Sequence, residues 1–191
     1  EGRGEQLLKT DQDNALIVAD TLDWPGLAAA MDAFSAALAD VGYPPCPGQV
    51  MVNNPHWRMT AGQWRQRIGQ WRHDYTGQAP LDLSIALDAR AIAGNQDLFA
   101  PVQQGLMSLG LDDMLLHHLA RATLNFETPL TLLGNVKGDG RGTDLKKGGI
   151  FPVVHGLRCL ALRHGIEARN SADRCRELAA GGVLSAALGR D

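Results

Sequence analysis

The sequence predicts an α+β first half, residues 1–95, followed by a helical second half, residues 96–191. Three observations lead there. Strand-like runs of apolar residues, continuous or alternating, fall before residue 95 and almost cease after Gly94. Helical periodicity alternates with those runs in the first half and takes over in the second. A Gly-rich, partly basic connection, 134–149, separates two helical stretches, as a connection between helices would.

The elements follow in order. Ala15-Leu16-Ile17-Val18-Ala19 is an apolar run of strand length. Leu22-Asp23-Trp24-Pro25 starts a helix, with proline at an early helical position. Leu27, Met31, Phe34, Leu38 and Val41 then recur at helical spacing, and Gly42 ends the run. Residues 43–48, YPPCPG, form a rigid loop, and Gln49-Val50-Met51-Val52 is a short strand candidate. Thr60-Ala61-Gly62-Gln63 is a capping box that opens a helix with Trp64, Ile68 and Trp71 on one face. Pro80 precedes a third strand, 81–91. There Leu81, Leu83, Ile85, Leu87 and Ala89 alternate with Asp82, Ser84, Ala86, Asp88 and Arg90. Residues 96–109, 112–126, 152–164 and 171–180 are helical by periodicity. Leu115, Leu119, Ala122 and Phe126 mark one stripe; Val153, Leu157, Leu160, Ala161 and His164 mark another. Asn170 or Ser171 caps the last long helix.

Composition narrows the function classes. A chain of 191 residues can bury a core, and with aromatics at 5 % that core is aliphatic. The net charge of −3 gives no electrostatic footing for nonspecific nucleic-acid binding. Cys46, Cys159 and Cys175 are scattered and odd in number, which fits a reducing cytoplasm rather than a disulfide framework. No stretch reaches the roughly 18 apolar residues of a membrane span, and no signal peptide stands out. The chain begins at Glu1 with its main motif at once, and reads as a fragment of a longer polypeptide.

Chemistry concentrates at Asp11-Gln12-Asp13, just before the first strand. Alternation puts Asp11 and Asp13 on one face, where two carboxylates repel unless a cation lies between them. Hard oxygen donors at that spacing suit Mg²⁺ or Mn²⁺. A divalent ion so held serves nucleotidyl transfer, binding triphosphate oxygens and activating a hydroxyl. The bland reading is an Asp-rich turn before a strand. Two-metal transfer calls for a third carboxylate; Asp88 on the polar face of 81–91 is the first candidate and Asp82 the second. Arg90 shares that face and either meets phosphate or pairs with Asp88. Arg3 lies on the Gly-Arg approach to the motif. Trp57, Trp64 and Trp71 offer a stacking platform or, at spacing seven, core packing. Arg58, Arg65, Arg67 and Arg72 between them form a solvated face from which one can reach a triphosphate. Lys146, beside Gly148-Gly149, is placed either to approach an anion or in a helix-connecting turn. Gly138-Asp139-Gly140-Arg141-Gly142 matches no phosphate-loop pattern, and no zinc motif is present.

Together these residues resemble the DUF294 family of nucleotidyltransferases, related to the PII-protein uridylyltransferases. Residues 2–16, GRGEQLLKTDQDNAL, match its G-R-x-E-Q-x-L-x-T-D-Q-D-N-A-L pattern. Gly42-Tyr43-Pro44 with Cys46, Val50-Met51, and Asn54-Pro55-His56-Trp57-Arg58 match G-x-P-x-C, V-M and N-P-x-W-R. Ser84-Ile85-Ala86-Leu87-Asp88-Ala89-Arg90 resembles S-I-F-F-D-x-R, and Asp144-Leu145-Lys146 with Gly149 and Pro152 resembles D-L-K-x-x-G-x-x-P. The resemblance implies a polymerase-β-like nucleotidyltransferase domain followed by an all-helical substrate-binding domain. It implies Mg²⁺- or Mn²⁺-dependent transfer of a nucleoside monophosphate from ATP or UTP to a hydroxyl, with a PII-like signalling protein as one acceptor. Asp11, Asp13 and Asp88 would hold the metals and carry catalysis; Arg3, Arg58, Arg90 and Lys146 would bind nucleotide. Upstream CBS or cyclic-nucleotide-binding modules would accompany such a chain. The family's leading Gly-Ser is missing before Glu1, and Ala86 and Ala89 replace bulkier residues around Asp88. Two rival functions remain: a nucleotide- or partner-binding regulatory module without transfer, and modification of a small molecule, as in aminoglycoside nucleotidyltransferases.

Overall fold

Segment 12–18 runs extended and gathers the first part of the chain around it. In a computed structural model, which describes residues 2–6, 10–123 and 149–189, it forms the strand β1 (Leu16–Val18). β1 pairs in parallel with β2 (Arg58–Thr60), in the register Leu16 to Arg58, Ile17 to Met59 and Val18 to Thr60. Parallel partners need a crossover. Here it contains the helix α1 (Leu27–Asp40) and the loop that carries Cys46. The backbone N–H of Gln12 donates to the Pro44 carbonyl at 2.9 Å and that of Asn14 to Val50 at 3.0 Å. The expected strand at 49–52 does not form. Turn-forming Pro47-Gly48 and Asn53-Asn54-Pro55 flank it, Gln49 takes a left-handed φ of 57°, and the Met51 N–H turns back onto the Gln49 carbonyl. The second strand instead lies eight residues later, at β2.

The helix α2 (Ala61–Trp71) follows β2 directly. Its capping box is reciprocal, as the sequence predicts. Gln63 N–H donates to Thr60 Oγ1 at 3.2 Å, and Thr60 N–H donates to Gln63 Oε1 at 2.9 Å. Asp20 adds a carboxylate at the same helix start, accepting from Gly62 N–H at 2.8 Å. Trp57, Trp64, Ile68 and Trp71 are all buried, so the tryptophans pack a core and offer no stacking platform. Trp64 Nε1 also donates to the Leu16 carbonyl at 3.2 Å, tying helix to strand.

The expected third strand, 81–91, is a helix. α3 spans Ala79–Leu87, with Pro80 in its first turn, where a missing N–H costs nothing. Its burial does not alternate as a strand's would: Leu81 is 53 % exposed while Asp82, Leu83 and Ser84 are buried in succession. α4 (Gln96–Ser108) leads through a 3₁₀ turn (Leu109–Leu111) to α5 (Asp113–Thr123). α6 (Phe151–Arg163) and α7 (Ser171–Ala180) complete the described helices, each within two residues of its expected start. α6 ends in a Schellman motif: Gly165 adopts φ 67°, and Ile166 N–H donates to the Ala161 carbonyl at 2.8 Å. Asn170, rather than Ser171, caps α7, accepting from Ala172 and Asp173 N–H.

The chain packs as two compact units: residues 1–70 with 89–105, and 71–88 with 106–191. The first is α+β and contains both strands. The second is helical; among the described residues, Leu83, Leu109, Leu119 and Leu178 are its largest fully buried side chains. α3 and Asp88 thus pack with the second unit. No described helix is long and apolar enough to cross a membrane.

Candidate metal and nucleotide site

Side-chain alternation along 11–14 separates two jobs. Gln12 is buried, and its Nε2 donates to the carbonyls of Ser35 and Tyr43, both at 2.9 Å. Asn14 Oδ1 accepts from Val52 N–H at 2.8 Å. These even-numbered residues fasten the strand to α1 and to the 43–52 loop. Asp11 and Asp13 point to the other face. Asp11 is half-buried and Asp13 exposed.

The loop brings a third donor that neither the spacing of the aspartates nor the metal reading anticipated. The donor atoms of Asp11, Asp13 and the buried Cys46 all lie within 4.8 Å of one another. Burial pushes the Cys46 thiol pKa up, and its hydrogen bond to the Asp13 carboxylate pushes the same way. Backbone hydrogen bonds from Val50 and Gly48 oppose them. Two carboxylates and a thiol within reach of one point are a donor set that fits a divalent cation.

The expected cationic residues are distributed differently. Arg58 Nη1 donates to the carbonyls of Val52 at 3.1 Å and Asn53 at 3.3 Å, bracing the same loop. Arg3 Nε pairs with Glu5 at 2.8 Å. Arg90 is exposed, outside any helix or strand. Lys146 and the 138–142 glycine cluster lie outside the described residues.

Asp88 sits at the C-cap of α3, in the second unit, and is buried. Arg158 of α6 grips both its oxygens, Nε to Oδ1 at 3.1 Å and Nη2 to Oδ2 at 2.5 Å. Arg174 of α7 adds Nη2 to Oδ1 at 2.8 Å. Burial alone would raise the Asp88 pKa, but the two guanidiniums outweigh it and hold the carboxyl below its usual range. Arg158 Nη1 donates onward to His155 Nδ1 at 2.9 Å, and His155 Nε2–H donates to the Leu119 carbonyl at 2.9 Å. That fixes His155 as the neutral Nε2–H tautomer; burial, foremost, lowers its pKa. Of the alternatives for Arg90, pairing with Asp88 is replaced by these two arginines. Nothing in the spacing of 81–91 pointed to residues 158 and 174.

Two family models match the chain. Residues 1–78 match Putative nucleotidyltransferase DUF294, and residues 113–191 match Putative nucleotidyltransferase substrate binding domain. Between them they span most of the chain, and it belongs to this nucleotidyltransferase family. No curated protein and no solved structure matches it.

Proposed function

We propose that this chain transfers a nucleoside monophosphate from ATP or UTP to a hydroxyl acceptor, with Asp11 and Asp13 holding Mg²⁺ or Mn²⁺. The observation that carries this is the paired carboxylates, backed by Cys46, in the segment matched by the nucleotidyltransferase model. When bound, the divalent ion would neutralise triphosphate charge and lower the pKa of the attacking hydroxyl. The chain's own part is positional. Gln12 and Asn14 fasten the segment so that Asp11 and Asp13 are held on one side of it. The acceptor oxygen forms the new bond to the α-phosphorus, pyrophosphate leaves with the electron pair of the broken bond, and the hydroxyl proton passes to solvent.

The second unit, matched by the substrate-binding model, selects the acceptor in this reading, a PII-like signalling protein being the first candidate. Asp88 would have to exchange two guanidinium partners for a cation to serve as a third carboxylate. We therefore assign it to the framework of the second unit. Binding without transfer is the rival reading, and the commitment of Arg58 to the loop carbonyls favours it. Label transfer from α-phosphate-labelled ATP and UTP decides. Metal-dependent labelling of a PII-like protein, lost in Asp11→Ala, supports transfer. Labelling of small hydroxyl compounds alone redirects the acceptor. Nucleotide binding without any labelling leaves the regulatory reading.

A further inference from the structure

The loop that delivers Cys46 is built to hold its sulfur still. Pro44 and Val50, on either side of the cysteine, accept backbone hydrogen bonds from Gln12 and Asn14, which alternate with the two aspartates. Gln49 N–H closes a turn onto the Cys46 carbonyl at 2.9 Å. Strand and loop are thus stitched on both sides of the cysteine, and the stitches fix the sulfur relative to the carboxylates. The sulfur also accepts backbone hydrogen bonds from Gly48 and Val50 and is within hydrogen-bonding reach of the Asp13 carboxylate. Donors aimed at a sulfur orient it and stabilise the thiolate, the outer-shell arrangement that metal-bound ligands carry.

Donors on one tetrahedral ion, each bonded at about 2.0–2.3 Å, lie about 3.3–3.8 Å apart. The triad, within 4.8 Å, closes on one ion by drawing in by at most about 1.5 Å, within the reach of side-chain rotation at the exposed Asp13. A set of two carboxylates and one sulfur is not a magnesium set. Mg²⁺ takes oxygen in near-ideal octahedra, whereas Zn²⁺ and Co²⁺ accept sulfur beside oxygen.

We propose that Cys46 Sγ is the third protein ligand of the cation held by Asp11 and Asp13, and that the site takes a sulfur-tolerant ion such as Co²⁺ or Zn²⁺ in preference to Mg²⁺. This rests on the aspartate pair holding a divalent ion, and it revises the identity of that ion from Mg²⁺ to one that accepts sulfur.

The test is spectroscopic and needs no turnover. Co²⁺ alone is titrated into the chain, its visible bands reporting coordination and a near-ultraviolet charge-transfer band reporting a thiolate ligand. The expected result is both bands saturating together, the Zn²⁺-displaced signal persisting in a large excess of Mg²⁺. Cys46→Ser should lose the near-ultraviolet band and bind Co²⁺ at least about tenfold more weakly. Visible bands without the charge-transfer band would overturn the thiolate while leaving the aspartates as ligands. No cobalt bands at all would overturn both. Displacement by Mg²⁺ as readily as by Zn²⁺ would overturn the preference. Should Cys46→Ser misfold by circular dichroism, the wild-type charge-transfer band and its displacement still decide, with Asp13→Asn as the second variant.

Discussion

Asp88 shows how far a residue's neighbours decide its role. By spacing it is a third metal carboxylate; in the structure it is held by two buried guanidiniums of the helical unit. Removing one partner of such a set leaves charges buried without compensation. Asp88→Asn should therefore destabilise the fold by about 3–5 kcal/mol. The pH dependence has two parts. Asp88 is depressed in the fold, so its contribution is complete above about pH 4, the ordinary aspartate value, and is lost as pH falls through the lower folded value. His155 is also depressed, by burial first, so below about pH 6.5 the unfolded chain takes up a proton that the folded chain refuses. Stability should begin to fall there. Denaturant unfolding followed from pH 8 to pH 3 should show both losses in the wild type. Asp88→Asn should diminish the lower one, the depressed Asp20 and Asp74 carboxylates keeping the remainder. A flat profile from pH 7 to pH 5 would contradict the neutral, buried His155.

At the scale of elements, the sequence was legible where two independent signals agreed. α2 had both a capping box and a buried stripe, and both are present. α7 had periodicity and an Asn cap. α3 had a single signal, alternation over a short run, and that signal misled. Leu, Ala and Ile in nine residues suit a helix as well as a strand, and Pro80 sits comfortably in a first turn. The strand at 49–52 failed for the complementary reason: apolar content without room, between two turn-forming clusters. The site was half legible. Asp11 and Asp13 follow from alternation, but Cys46 arrives across 33 residues of chain, and Arg158 and Arg174 meet Asp88 from 70 and 86 residues away. Such distances leave no local pattern. One contact between elements makes a sharp prediction. A Cβ on Gly110 would lie 2.0 Å from the Leu162 carbonyl oxygen of α6, so backbone meets backbone there. Gly110→Ala should cost about 1–3 kcal/mol or more, read as a lowered unfolding midpoint, because no flexible side chain can yield. Gly69→Ala meets nothing within 4 Å and should leave that midpoint unchanged or slightly raised.

Across the whole molecule, labour divides between a unit whose strand presents carboxylates and a helical unit braced by a buried ionic cluster. The family models come in the same order along the chain, nucleotidyltransferase over 1–78 and substrate binding over 113–191. Everything proposed for the chain turns on the carboxylates of the first unit. Isothermal titration of ATP and UTP into the chain with Mn²⁺, beside the Asp11→Ala/Asp13→Ala double variant, tests it most directly. The account predicts saturable binding that vanishes when Mn²⁺ is withheld and in the double variant, whose circular dichroism matches the wild type. Equal binding by the wild type and the double variant, or binding indifferent to Mn²⁺, would contradict it.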